Sequence, residues 1–390
     1  AFNLPNAGLR TYFQSVESGD PDVITTPFYR GRDFDSVVAD WSKVLQAKLK
    51  KWPSLVEYEI DQSKKVGPMS VRKPLKQRMS DIDSYYDSIL LESTEIPDFA
   101  TAATIKEFRR VSGLRERNWR TTVDNMKKST NSGSPFFTKR RRVVADTIGL
   151  RGGTDGGRTV TAKHDFPNVA VLGWRGQEGG PKPSDTKQRV VWMFPFAVNI
   201  AELSVYQPLV EACQATKLVA PWVGNEEVDK RITQLFDTKP ADDVVVCTDF
   251  SKFDQHFNPS MQRAALRVLQ GLFTRTEGFR SWCQVVFPIK YNIPLAYNYG
   301  KVRCGPHGMG SGSGGTNADE TLTHRCLQHE AAINEGTALN PNSMCLGDDG
   351  VLTYPGITVD SVVRTYTSHG QEMNPDKQYV SKHDCIFLRR

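Results

Sequence analysis

The strongest constraint on what this chain can fold into is a pair of apolar, strand-like runs that each stop abruptly at aspartate. Val244-Val245-Val246-Cys247-Thr248 leads into Asp249, and Ser343-Met344-Cys345-Leu346-Gly347 leads into Asp348 and Asp349. Short apolar runs bounded by turn residues read as buried strands. Carboxylates at the ends of two neighbouring strands can share a pair of divalent cations, an arrangement suited to in-line phosphoryl transfer. The first expectation is therefore a sheet that brings the two runs side by side.

The rest of the chain leaves room for such a sheet. Its 390 residues support a large core and two or three sub-domains, and 38% hydrophobic with 24% charged residues fits a water-soluble globular composition. The net charge of +6 is a mild basic bias that favours an anionic partner. That bias is local: residues 106–142 hold twelve Lys/Arg against three Asp/Glu, so the remainder of the chain is acidic on balance. A basic surface beside an acidic centre suits a protein that holds a polyanion while using carboxylates for metal. Seven scattered cysteines, odd in number and without a CxxC pair, read as reduced thiols rather than a disulfide framework. His324, Cys326 and His329 lack a second ligand pair for zinc and read as residues of a helix face. The longest apolar run, Val190 to Val198, contains Pro195 and is too short to span a bilayer, so no membrane partner is expected. The chain starts at Ala1 without methionine and stops at Arg390 directly after a strand-like run, as a processed protein or excised fragment would.

Along the chain, residues 1–65 mix turns with a helix-like stretch from about Asp35 to Lys51, and 66–142 are helical and basic. Residues 148–189 read as strands and loops punctuated by Gly152-Gly153 and Gly179-Gly180-Pro181, and 199–237 return to helical spacing. Asn258-Pro259 forms a cap-and-proline helix start, after which Met261, Ala265, Leu269 and Leu272 share one face. Residues 273–305 carry strand and turn signals. Gly308 to Gly315 is a glycine–serine loop, Thr316 to Glu335 a helix closed by Gly336, and 343–354 a hairpin with Gly347-Asp348-Asp349-Gly350 at its tip. The mixture argues α+β around an antiparallel sheet.

These residues together resemble the viral RNA-dependent RNA polymerase family. Asp249 and Asp254, separated by four residues, resemble its first palm motif, and Gly347-Asp348-Asp349 its catalytic hairpin. Ser311-Gly312-Ser313-Gly314-Gly315-Thr316, between them, is similar to its Ser-Gly-x-x-x-Thr loop. Lys187-Gln188-Arg189-Val190-Val191-Trp192 resembles the basic fingers motif, and Thr130-Asn131-Ser132-Gly133-Ser134-Pro135 the template-guiding loop. Gly370 to Lys377 resembles the fourth palm motif, and Phe387-Leu388-Arg389-Arg390 the primer-supporting hairpin. The matches cover residues 130–390, and within the family they look closest to enzymes of small double-stranded RNA viruses of the picobirnavirus kind.

The resemblance implies a right-hand polymerase of fingers and palm with no thumb-sized sequence after Arg390. It divides the chain into an N-terminal region (1–65) bridging or packing on fingers, fingers (66–203), palm (204–272), a fingers insertion (273–305) and the rest of the palm (306–390). Asp249 and Asp348 would bridge two Mg²⁺ ions, with Mn²⁺ as an alternative and Asp349 as a secondary ligand. Asp254 would accept a hydrogen bond from a ribose 2′-hydroxyl; the plainer reading makes it a helix-start residue. Ser311, Gly312 and Thr316 would shape the substrate pocket, helped by Asn317. Glu320 departs from the family pattern, which commonly has asparagine there, so it can accept but not donate a hydrogen bond. Lys187 and Arg189 would hold the NTP phosphates, and Lys377 would act as general acid for pyrophosphate, with Lys382 near it in sequence. Thr130, Ser132 and Gly133, the run Lys139-Arg140-Arg141-Arg142, and Arg389 would contact RNA; a solvated basic face is the plainer reading of the run. Implied partners are RNA template and product, NTPs and a capsid protein, in host cytoplasm or virion interior.

Three rival readings remain at this point. A reverse transcriptase would also carry the acidic pair, but usually places a bulky aromatic where this chain has Asp254. Gly310-x-Gly312-x-x-Gly315 satisfies the dinucleotide-binding GxGxxG spacing, but it follows Cys304-Gly305-Pro306 rather than a clear strand. A non-catalytic RNA-binding viral protein would explain the basic region and leave the three aspartates without purpose.

Overall fold

The computed structural model describes residues 8–25, 30–148, 153–155, 157–160 and 165–390; Gly152 lies outside them. Among these, the helices of nine residues or more are α1 (Gly8–Ser18), α2 (Phe34–Gln46), α3 (Pro53–Ser63), α4 (Leu75–Asp87), α5 (Asp98–Glu107), α6 (Phe196–Ala215), α7 (Asn225–Thr238), α8 (Pro259–Leu272), α9 (Glu277–Val285), α10 (Thr316–Asn334) and α11 (Val359–Thr367). The strands are β1 (Gly153–Asp155), β2 (Arg158–Val160), β3 (Asp165–Pro167), β4 (Ala170–Gln177), β5 (Lys187–Met193), β6 (Val245–Thr248), β7 (Leu295–Asn298), β8 (Lys301–Arg303), β9 (Met344–Leu346), β10 (Asp349–Leu352) and β11 (Tyr379–Ser381). The chain is α+β, as its sequence pattern implies.

The described residues divide into two compact units, one within residues 83–171 and 192–390, the other within residues 8–82 and 172–191. The centre of the first is an antiparallel sheet in the order β11-β6-β10-β9. Every residue of β6 is buried, which its unbroken Val-Val-Cys-Thr run demands. Against this sheet pack α8 and α10. Asn258 accepts a hydrogen bond from the Met261 amide, and Pro259 occupies the first helical position, as the sequence predicts. Met261, Ala265, Leu269 and Leu272 are buried on one face. Burying each larger aliphatic side chain contributes about 1.5–3 kcal/mol.

Helix α10 differs in kind, because it is buried on nearly all sides, with 14 of its 19 residues inside. Its charges must therefore find partners. Asp319 meets Lys290 at 3.0 Å and accepts from the Tyr206 and Tyr291 hydroxyls at 2.7 and 2.6 Å. Arg325 pairs with Glu107 and donates to the Ser343 carbonyl at 2.5 Å. Burial opposes ionisation of Glu107, yet Arg325 and His329 together hold its carboxyl well below the usual range.

The structure corrects two local expectations. Residues 273–305 are not all strand and turn, since Thr276 caps α9 by accepting from the Phe279 amide. The 343–354 hairpin has a tighter tip than expected: Asp349 pairs with Leu346 and Gly350 with Cys345, so only Gly347 and Asp348 form the turn. A Cβ on Gly350 would lie 2.6 Å from both His324 Cε1 and Thr248 Oγ1. Glycine at that point permits close strand packing rather than a wider turn.

In the second unit, the Tyr12 hydroxyl donates to the Leu172 carbonyl at 2.6 Å and Arg78 to the Gly173 carbonyl at 2.8 Å. Gln188 of β5 accepts the Lys73 amide at 2.6 Å. Helix α2 starts where Asp33 accepts the Ser36 amide and ends at Gln46, earlier than the sequence pattern suggests. The lysine-rich residues beyond it form turns.

Candidate active site

The two acidic runs lie side by side. Strand β6 pairs antiparallel with β10, with Thr248 opposite Gly350 and Cys247 opposite Val351. Continuing that register one step sets Asp249 across from Asp349, with Asp348 in the adjoining turn. The crowding is visible in Asp349, whose carboxyl is pushed up to about 6 by burial and by the neighbouring charges of Asp348 and Asp249. Hard oxygen donors concentrated at one sheet end fit a small divalent cation. Among the described residues no three His, Cys, Asp or Glu side chains form a ready-made metal cage. That is compatible with Mg²⁺, which is usually held by one or two carboxylates together with substrate phosphates and water.

Backbone contacts from several elements fix this acidic end. Gln378 grips the Asp249 peptide on both sides, accepting its amide at 2.7 Å and donating to its carbonyl at 3.0 Å. From α10, the Thr321 hydroxyl accepts the Gly347 amide at 3.0 Å, and His324 Nδ1 donates to the Gly347 carbonyl at 2.9 Å. These contacts hold Gly347 at φ +59°, in the left-handed region that favours glycine. Burial pushes His324 down to about 4, so the ring is neutral and carries its proton on Nδ1. A Cβ on Gly347 would come within 3.4 Å of Glu320 Oε2, which puts the buried Glu320 carboxylate beside the turn.

The C-terminal residues contribute as well. Phe387 and Arg390 exchange backbone hydrogen bonds across Leu388 and Arg389, which both adopt positive φ (55° and 61°). This is a tight hairpin turn built without glycine. The Leu388 amide donates to Asp349 at 2.9 Å, so one carboxylate oxygen of Asp349 is engaged by that turn. Arg389 itself is exposed. Lys377 is exposed beside Gln378, in the short turn that precedes β11, whereas Lys382 lies 4.0 Å from Asp242 ahead of β6. Lys377 is thus the lysine adjoining the Asp249 end of the sheet.

Asp254 is buried in the turn between β6 and α8, and its carbonyl accepts the Met309 amide at 2.9 Å. It does not start the helix, because that cap is Asn258. Met309 leads into the Ser311–Gly315 loop, whose Ser311 carbonyl accepts the Trp192 amide at 2.9 Å. Gly312 has φ +142°, and a Cβ there would stand 1.7 Å from the Trp192 carbonyl. Thr316 donates back to Ser313 at 3.3 Å, while the exposed Asn317 accepts from the Trp222 indole at 2.7 Å. The loop that precedes α10 is long and follows the antiparallel pair β7–β8. It is not the tight strand-to-helix turn of a dinucleotide-binding fold.

The 130–142 segment is only partly available to a ligand. Thr130, Lys139, Arg141 and Arg142 are exposed. Ser132 is buried, with its hydroxyl accepting the Thr138 amide at 3.2 Å, and a Cβ on Gly133 would lie 2.4 Å from the Phe194 carbonyl. Arg140 is committed to the protein: it donates to Asn199 at 2.8 Å and the Lys127 carbonyl at 3.2 Å, over the Phe196 ring. Ser132, Gly133 and Arg140 therefore shape the loop, and the flanking exposed residues present its charge. Lys187 and Arg189 alternate outward on β5 in the second unit. His324, Cys326 and His329 go to three separate partners, the Gly347 carbonyl, the Thr104 hydroxyl and Glu107.

Sequence reasoning missed Gln378, Thr321, Asn199 and Glu202 as organisers. For the last two a signal exists: a polar pair at i, i+3 inside the apolar run that opens α6.

The chain is also similar to known proteins. Residues 84–390 match the family model described as viral RNA-dependent RNA polymerase. A protein of Human picobirnavirus (strain Human/Thailand/Hy005102/-), called a potential RNA-dependent RNA polymerase, is 60% identical over 391 residues, spanning 100% of this chain and 73% of that protein. The crystal structure of the RNA-dependent RNA polymerase of a human picobirnavirus superposes with TM-score 0.95 at 60% identity, covering 100% of this chain and 75% of that one. Its insertion-loop deletion mutant gives TM-score 0.96 at 59% identity, covering 100% and 77%. The chain thus belongs to the viral RNA-dependent RNA polymerase family and is a nucleotidyltransferase.

Proposed function

We propose that this enzyme extends an RNA strand on an RNA template from NTPs, in genome replication and transcription, through divalent ions held at the β6/β10 end. The observation that carries this reading is the pairing of β6 with β10, which aligns Asp249 with Asp349 and the adjoining Gly347–Asp348 turn. Asp249 and Asp348 would hold Mg²⁺ or Mn²⁺, with Asp349 in support. When bound, the ions favour ionisation of the primer 3′-hydroxyl and neutralise charge on the leaving pyrophosphate. The protein's own residues do the rest. Gln378 and Thr321 keep the carboxylate-bearing backbone in place, so little reorganisation is needed when charge develops. Lys377 would protonate the pyrophosphate.

In this reading the β11-β6-β10-β9 sheet with α8 and α10 serves as the palm (204–272 and 306–390). Residues 66–203 with 273–305 would serve as fingers, and 1–65 as a separate N-terminal region. The exposed Thr130, Lys139, Arg141, Arg142 and Arg389 would hold RNA phosphates. Kinship with a double-stranded RNA virus polymerase favours a virion-interior or host-cytoplasmic setting with capsid protein as neighbour.

Asp254 would accept the 2′-hydroxyl of the incoming ribose, with Glu320 as a second buried acceptor near the turn. A hydrogen bond to a charged group is worth about 1.5–3 kcal/mol, so NTPs should be preferred over dNTPs by roughly ten- to a hundredfold. The test is incorporation of labelled NTPs and dNTPs on a primed RNA template by the wild type and Asp254→Asn. Preference for NTPs that shrinks in the variant supports the assignment. Equal use of dNTPs by the wild type would instead support a reverse-transcriptase-like enzyme.

A further inference from the structure

We infer that Asn199 and Glu202, on the first two turns of α6, are positioning residues that hold the Ser311–Gly315 loop in its substrate-binding shape and tie it to the 130–142 loop. This rests on the polymerase reading above and extends it to residues for which that reading has no role.

Both side chains are buried, Glu202 completely and Asn199 to 4% exposure. A buried carboxylate and amide are costly unless their hydrogen bonds are met. Here three of their five hydrogen bonds are met by one neighbouring loop. Glu202 Oε1 accepts the Gly314 amide at 3.1 Å, and Oε2 accepts the Ser313 hydroxyl. Ser313 Oγ in turn accepts the Gly315 amide at 3.0 Å. Asn199 Nδ2 donates to Glu202 Oε1 at 3.1 Å and to the Gly312 carbonyl at 3.3 Å. Two side chains on one helix face therefore set four consecutive residues, Gly312 to Gly315. A Cβ on Gly315 would lie 2.3 Å from Tyr206 Cε2, so the loop lies directly on the α6 surface.

The same stretch of chain carries the second loop. Asn199 Oδ1 accepts Arg140 at 2.8 Å, and the Phe196 amide donates to the Ser132 carbonyl at 2.8 Å. The loop proposed to guide the template and the loop proposed to cradle the nucleotide thus share one base at the start of α6. A glycine-rich loop has few side chains with which to hold itself, so its shape depends on what it is bonded to. Loosening either bond set should be felt by the other loop, since Asn199 belongs to both.

The experiment is steady-state primer extension by the wild type, Ser313→Ala, Glu202→Gln, their double variant and Arg140→Lys, with RNA affinity and thermal melting measured in parallel. Active wild type establishes the underlying polymerase reading, and its inactivity would refute that reading independently of the variants. Ser313→Ala and Glu202→Gln should each raise KM for NTP by about tenfold, the usual worth of a hydrogen bond to a charged group, with kcat within about twofold. The double variant should be no worse than the poorer single one, because both remove one interaction. Arg140→Lys, although on the other loop, should also raise KM for NTP. An unchanged KM in Ser313→Ala, multiplicative losses in the double variant, or an Arg140→Lys effect confined to RNA affinity would each overturn the inference. Ser313→Ala, which removes only a loop hydroxyl, keeps the test decisive if Glu202→Gln melts.

Discussion

Helices α2 and α10 show how differently two helical segments of one chain can be used. Helix α2 has a clear apolar face, yet none of its residues is fully buried, and Val44 is 68% exposed. Helix α10 has little apolar asymmetry in its sequence, and Asp319, Glu320, His324 and Arg325 are all inside. An amphipathic pattern thus marks where a helix forms but not how deeply it sits. Polar residues at buried positions mark where the fold is committed to particular partners, and on α10 those partners include the turn that carries Asp348.

The comparison breaks most readily at the buried ion pair. Lys290→Met leaves the Asp319 charge without its counter-ion, and urea unfolding should show a loss of about 3–5 kcal/mol. Combining it with Asp319→Leu should recover much of that loss, because no unpaired charge then remains. A single variant as stable as wild type would mean that α10 tolerates an unpaired charge as α2 would.

Acid should act next. Burial lowers His324 to about 4 from an ordinary value near 6.5. A depressed folded value means that its contribution is present above pH 6.5 and is lost as pH falls towards 4. It should remove about 3 kcal/mol of stability over that window. Replacing His324 with Gln should flatten part of that slope in pH-dependent denaturation, and an unchanged slope would contradict its assignment as a buried neutral ring.

Gly350→Ala forces a methyl against His324 and Thr248 and should cost about 1–3 kcal/mol while lowering turnover. Crowding at the hairpin would be disproved by a variant that melts and turns over like wild type. At the small end, Val44→Ala on α2 should change stability by no more than about 0.5 kcal/mol in the same denaturation assay. A larger loss would show that the exposed face of α2 is packed in solution.

Much of the central site was legible because each signal is local. Asn258-Pro259 writes its own cap, Gly336 closes α10, and two apolar runs ending in aspartate can pair in few ways. The rest depended on contacts made across long sequence separations. Nothing in the sequence around Gln378 says that its amide grips Asp249, and nothing near Arg140 says that it faces inward to Asn199. The turn at Leu388 and Arg389 has no glycine to announce its positive φ values. Helix α9 was hidden because its aromatic and valine content reads like a strand, while its cap is a single threonine. The division into two units was equally hidden, since β4 belongs partly to each.

The most direct measurement is Mg²⁺- and Mn²⁺-dependent incorporation of labelled NTPs on a short primed RNA by the wild type, Asp249→Ala and Asp348→Ala, with RNA affinity followed in parallel. The wild type should synthesise RNA only with metal present. Both variants should fall to the no-enzyme level, with RNA binding retained. Synthesis that survives either substitution, or proceeds with the metal chelated, would contradict it.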